Sequence, residues 1–74
     1  MSNMYEIQKS ALSNRIKSRR KSMGLTQEQV AEEVGITYSS YVKIENAFQT
    51  PSLATLAAIS QVLHISLDIL IFGE

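Results

Sequence analysis

The sequence offers few groups for catalysis. His64 stands four residues before Asp68, and Glu28, Glu32 and Glu33 lie close together. A zinc site takes about four ligands, most often Cys and His. This chain has one histidine and no cysteine. His64 and Asp68 are also separated by an expected helix break at His64-Ile65, so they form neither a metal site nor a catalytic pair. There is no activated nucleophile, glycine-rich phosphate loop or carboxylate dyad. The glutamates read as a solvated acidic face. No catalytic residue, metal ligand or cofactor is expected, and the chain reads as a non-enzyme.

The basic residues are more informative. The chain has 74 residues, with 7 Lys+Arg against 7 Asp+Glu, so its formal charge is zero. The charge is segregated, however. Through Gly24 there are six bases (Lys9, Arg15, Lys17, Arg19, Arg20, Lys21) and one acid, Glu6, for a sum of +5. From Leu25 onward there are one base, Lys43, and six acids, for −5. Such asymmetry between halves points to contact with a polyanion.

These residues must be positioned by helices. No alternating β-branched run, hairpin dipeptide or internal repeat is present. The length allows one domain. Without cysteines its stability rests on apolar packing from 45% hydrophobic residues, and on association. The first helix spans about Ser10 to Ser22, with Leu12 and Ile16 on one face and Gly24 ending it. Residues 1–9 read either as an arm or as an extension of that helix. Thr26-Gln-Glu-Gln29 is a capping box, and Val30, Ala31 and Val34 form the stripe behind it. Gly35 ends the second helix and Thr37 caps the third, which runs to about Asn46. Residues 47–51 form a loop. Ser52 caps a fourth helix bearing Leu53, Leu56, Ile59 and Leu63. Ser66 caps a fifth, Leu67 to Phe72, ended by Gly73. The expected fold is all-α, a compact five-helix domain over residues 10–74.

Within residues 27–46, two short helices joined by Gly35-Ile36-Thr37 meet the steric demands of a helix-turn-helix. Ala31 is small where the second helix crosses the first. Gly35 tolerates the positive φ of the turn. Val30, Val34, Ile36, Tyr41 and Ile44 supply the apolar face.

Four segments then occur in order: Leu25-Thr-Gln-Glu-Gln-Val-Ala-Glu-Glu-Val-Gly-Ile-Thr37, Ile44-Glu45-Asn46, Pro51-Ser-Leu-Ala-Thr-Leu56 and Ile65-Ser-Leu-Asp-Ile-Leu70. Together they resemble the Xre family, the Cro/repressor-type helix-turn-helix transcription regulators. The resemblance covers Leu12 to Gly73. It implies a lambda-repressor-like fold that binds double-stranded operator DNA as a homodimer. Two recognition helices would then lie about one DNA turn apart over a near-palindromic site.

By resemblance, the helix starting near Tyr38 is the recognition helix. Thr37, Tyr38, Ser39, Val42 and Lys43 face DNA, while Tyr41 and Ile44 face the core. Gln27 matches a position that touches the phosphate backbone or an outer base. Lys43 is the candidate for base readout, donating to guanine O6 and N7, with a phosphate contact or a solvated lysine as the alternatives. Asn46 and the loop amides after it are within reach of phosphate. Arg20 and Glu45 match a family pair that fixes the recognition helix; the alternative is a plain solvated arginine. Arg15, Lys17, Arg19 and Lys21 read as solvated helix charges, some of them near phosphates.

The sequence departs from the family pattern at Ala47 and Phe48, where relatives usually have a glycine and a basic residue. The cationic loop contact is therefore missing. Ile69 and Phe72 exceed what one helix face needs for the core, so they read as a dimer interface or as side chains folded back onto the monomer. The implied function is transcriptional regulation, by repression, without an effector domain. A rival is an antitoxin or other protein-binding module on the same fold, with a toxin or polymerase as partner. Without a signal peptide or an apolar run of membrane-spanning length, the expected location is cytoplasmic.

Overall fold

Helices begin here where a short polar side chain replaces a missing carbonyl acceptor. In the computed structural model, which describes residues 3–74, the Asn3 carboxamide accepts from the Glu6 amide at 2.9 Å and opens α1 (Met4–Ser22). Thr26 opens α2 (Gln27–Val34) with a reciprocal box. The Gln29 amide donates to Thr26 Oγ1 at 3.1 Å, and the Thr26 amide donates to Gln29 Oε1 at 2.8 Å. Thr37 opens α3 (Tyr38–Glu45), Ser52 opens α4 (Leu53–Val62) and Ser66 opens α5 (Leu67–Phe72). Gly24, Gly35 and Gly73 take positive φ after α1, α2 and α5. Ala47 (φ 61°) and His64 (φ 51°) do the same after α3 and α4 without being glycine. A left-handed turn at a residue with a Cβ costs roughly 1–2 kcal/mol.

The helix extension is the arrangement found upstream. Met4 to Lys9 continue α1 without a break, and the Tyr5 hydroxyl lies 3.1 Å from Thr50 Oγ1. Met1 and Ser2, the start of the 1–9 segment, lie outside the described residues.

All five helices contribute to one core. Ile16 of α1, Val30 and Ala31 of α2, and Tyr41 and Ile44 of α3 are buried against Leu56 and Ile59 of α4, Leu63 and Leu70. Each large side chain buried this way contributes about 1.5–3 kcal/mol. Leu53 departs from the stripe expected for α4. It is the first residue of the helix and remains 74% exposed, because the covered part of that face begins at Leu56.

Arg15 and Arg19 correct the expectation of solvated charges on α1. The Arg15 guanidinium donates to the carbonyls of Leu70 and Ile71, both at 3.0 Å, at the end of α5. Arg19 donates to the carbonyls of Leu63 at 2.8 Å and His64 at 3.3 Å, at the end of α4. The last turn of a helix has orphan carbonyls and a partial negative charge, which a cation satisfies. Four residues apart on α1, the two arginines tie down two later helices. Among the described residues, no helix is long and apolar enough to cross a membrane.

Candidate nucleic-acid interface

The joint between α2 and α3 is set by backbone chemistry. Gly35 adopts φ 90°, and its amide donates to the Ala31 carbonyl at 2.9 Å, while the Ile36 amide donates to the same carbonyl at 3.1 Å. A Cβ at Gly35 would meet nothing within 4 Å, so the constraint is the positive φ and not space. Ala31 is buried at the crossing. Thr37 then starts α3, its hydroxyl accepting from the Ser40 amide at 3.1 Å.

The residues of α3 divide into two faces. Tyr41, Ile44 and Glu45 are buried. Tyr38, Ser39, Lys43 and Asn46 are exposed, and Val42 is half-buried. At 3.6 residues per turn, positions 38, 39, 42, 43 and 46 fall within an arc of about 140°. The side chains expected to face DNA on α3 thus share one outward face, bearing one cation, one phenol, one hydroxyl and one carboxamide. Thr37 is exposed at its leading edge.

A buried polar cluster fixes the orientation of that face. Arg20 on α1 donates from Nε to Glu45 Oε2 at 2.7 Å and from Nη2 to Oε1 at 3.0 Å. This is the bidentate fork in which guanidinium and carboxylate match best. The remaining Arg20 nitrogen donates to the Leu25 carbonyl at 2.9 Å. The Tyr41 hydroxyl and Gln27 Nε2 also donate to Glu45, the latter at 3.1 Å. Burial favours the neutral Glu45 carboxyl, but the bonds from Arg20, Tyr41 and Gln27 outweigh it and hold the group below the ordinary carboxylate range. Burial, with the Glu45 bond, drives the Tyr41 phenol far above its usual range. The bond to Glu45 holds the Arg20 guanidinium further above its own. One carboxylate therefore joins α1, the start of α2 and the end of α3.

The Gln27 side-chain amide donates inward to Glu45. The loop amides, expected within reach of phosphate, are engaged. Those of Asn46, Ala47, Phe48 and Gln49 donate to the carbonyls of Val42, Ile44, Lys43 and Lys43, at 2.8 to 3.2 Å. They close the end of α3 and are not free to meet a phosphate; the Asn46 side chain is. Ser13 joins this region without having been singled out from sequence. Its buried hydroxyl donates to the Ile44 carbonyl at 2.6 Å, linking α1 to the last turn of α3. Its position three residues before Ile16, on the same stripe, was the available signal.

On α5, Leu70 is buried while Leu67 and Ile71 are half-buried. Ile69 and Phe72 are 42% and 67% exposed, so neither is folded back into the core. Further apolar exposure occurs at Met4, Tyr5, Ile7, Phe48 and Leu53.

Comparison with known proteins gives a consistent result. A family model described as helix-turn-helix matches residues 16–70. Over 62 residues the chain is 40% identical to an HTH-type transcriptional regulator of Bacillus subtilis, YqaE, covering 84% of this chain and 53% of the relative. It is 37% identical over 57 residues to RstR of Vibrio cholerae, a cryptic phage CTXphi transcriptional repressor, covering 77% and 51% of the two chains. An HTH-type transcriptional regulator of Methanothermobacter thermautotrophicus is 40% identical over 62 residues, covering 80% and 88%. This chain thus spans about half the length of the two bacterial relatives and most of the archaeal one. Among solved structures, it superposes on the P22 c2 repressor, crystallised with a synthetic operator, with TM-score 0.81 and 28% identity. That match covers 85% of this chain and 96% of the repressor chain.

Proposed function

From the premise that this chain belongs to the Xre-type helix-turn-helix family, we propose that it is a transcriptional repressor reading operator DNA through α3. The observation carrying this reading is the divided helix. Tyr38, Ser39, Val42, Lys43 and Asn46 share an outward face, while Glu45, on the inner side, is fixed to Arg20 by two hydrogen bonds. A recognition element needs both a set of side chains for base edges and a support that prevents tilting in the groove. Similarity to a named repressor and to a repressor–operator structure supports the same reading.

The roles follow from chemistry. Lys43 donates to guanine O6 and N7 in the major groove. Val42 offers an apolar contact to a thymine methyl. Ser39 and Asn46 donate or accept at base edges or phosphates. Tyr38 and Thr37 reach the sugar-phosphate backbone at the start of α3. The exposed Ile69 and Phe72 of α5 form the homodimer contact, so two α3 helices address a near-palindromic site.

The test is a titration of labelled random-sequence duplex at low and moderate salt. The expected result is binding that weakens linearly in log–log form as salt rises. Absence of binding at either salt overturns the proposal and favours a protein-binding module on this fold.

A further inference from the structure

The loop after α3 carries no Lys or Arg, and a polar cleft lies beside it. The cleft has a volume of about 250 Å³ and lies between α1 and the end of α3, beside Asn46. Its inner lining is already satisfied. Ser13 donates to the Ile44 carbonyl, and both Glu45 oxygens are bonded, with Arg20 balancing the charge. Its rim is not. Ser10 and Asn14 of α1 and Asn46 after α3 are exposed polar side chains. Lys17 of α1 is half-buried there, and among the described residues it has no ion pair, the one salt bridge being Arg20–Glu45. The cleft therefore carries one uncompensated positive charge among neutral hydrogen-bonding groups.

Elimination points to the same residue. The amides of residues 46–49 are bonded inside the loop. No Lys or Arg occurs between Asn46 and Pro51. Arg15 and Arg19 are held by carbonyls of α4 and α5, and Arg20 by Glu45. Of the other α1 cations, Lys9 borders a separate cavity with Tyr5, Leu12 and Ile71, Lys21 is exposed, and Lys17 lines the cleft beside Asn46.

We propose that this cleft binds a phosphodiester oxygen of the DNA backbone, with Lys17 as its cation and the side chains of Asn14, Asn46 and Ser10 as its hydrogen-bonding groups. The inference rests on the DNA-binding reading above. A phosphate held there continues the line of groove contacts past the end of α3. It fixes register along the duplex and carries no base information.

The experiment compares wild type with Lys17→Gln, which removes the charge and keeps most of the stem. Both are titrated against the same duplex across a salt series. The variant is expected to bind more weakly by the same factor on every sequence. Its log–log salt slope falls by about 0.9 per protomer, so the gap to wild type narrows about 3.5-fold per protomer between about 50 and 200 mM salt. Lys17→Arg restores both, and Asn14→Asp, which puts a carboxylate on the rim, weakens binding on every sequence. Thermal melting stays unchanged in Lys17→Gln. If wild type binds and Lys17→Gln keeps its affinity and slope, the phosphate site is overturned while the DNA-binding reading stands. If wild type binds no duplex, both fall.

Discussion

Replacing Glu45 by Ala removes the acceptor for three side chains at once. Arg20 keeps one bond, to the Leu25 carbonyl, and Tyr41 keeps none. Gln27 is half-buried and able to turn to solvent. Breaking a buried ion pair by removing one partner costs about 3–5 kcal/mol. The lower end applies here, because 11% of the Arg20 side chain is exposed and water can reach it. Domains have about 0.05–0.15 kcal/mol of stability per residue, so this one has roughly 4–11 kcal/mol in all. A loss of about 3 kcal/mol is thus a large fraction. At about 4–8 °C per kcal/mol for a domain of this size, it lowers Tm by roughly 12–24 °C. The assay is thermal and urea unfolding followed by far-UV circular dichroism. A double-mutant cycle completes it. Glu45→Leu with Arg20→Met is expected to be more stable than either single variant, because no buried charge is left unpaired. If Glu45→Ala melts within about 4 °C of wild type, a loss under about 1 kcal/mol, the cluster is not what holds α3.

Three further outcomes are expected. Ala47→Gly relieves the left-handed φ after α3 and raises stability by about 1 kcal/mol in urea unfolding; a loss would show that the Ala47 side chain stabilises the loop. Glu45 has its folded pKa below its unfolded value, so its contribution is present above the unfolded carboxylate range and is lost as pH falls through the folded pKa. Glu45→Gln therefore flattens the acid limb of the stability–pH curve, and an unchanged limb would contradict the bonding described. Replacing Ile69 and Phe72 by Ser leaves the fold intact but shifts sedimentation to the monomer and weakens operator binding; a variant that sediments as wild type would place the dimer contact elsewhere.

Features governed by neighbours in sequence were the ones legible from it. Thr26, Thr37, Ser52 and Ser66 each accept from an amide three residues on, so caps and helix starts could be read directly. Gly35 and Ala31 revealed the joint because its sterics are local. Arg20 with Glu45 became readable through family resemblance, since nothing in the spacing of 25 residues indicates a contact. The roles of Arg15 and Arg19 are illegible for a related reason: their acceptors are backbone carbonyls of Leu70, Ile71, Leu63 and His64, which carry no side-chain signature. Leu53 has the right helical phase for the core yet lies beyond its edge, because periodicity gives a face and not the length of that face that is covered. The resemblance assigns Gln27 a position facing DNA, while its bond to Glu45, 18 residues on, has no signature in the sequence spacing.

The central claim is that the outward face of α3 reads base sequence, and selection of bound duplexes from a random pool, with sequencing, tests it most directly. The predicted result is an enriched inverted repeat with half-sites about 10–10.5 base pairs apart, centre to centre, or a multiple of that. Lys43→Ala is then expected to relax preference at one position in each half-site. A pool that shows no enriched sequence, or one whose preference is the same with Lys43→Ala and with changes at Ser39 and Val42, would contradict the account.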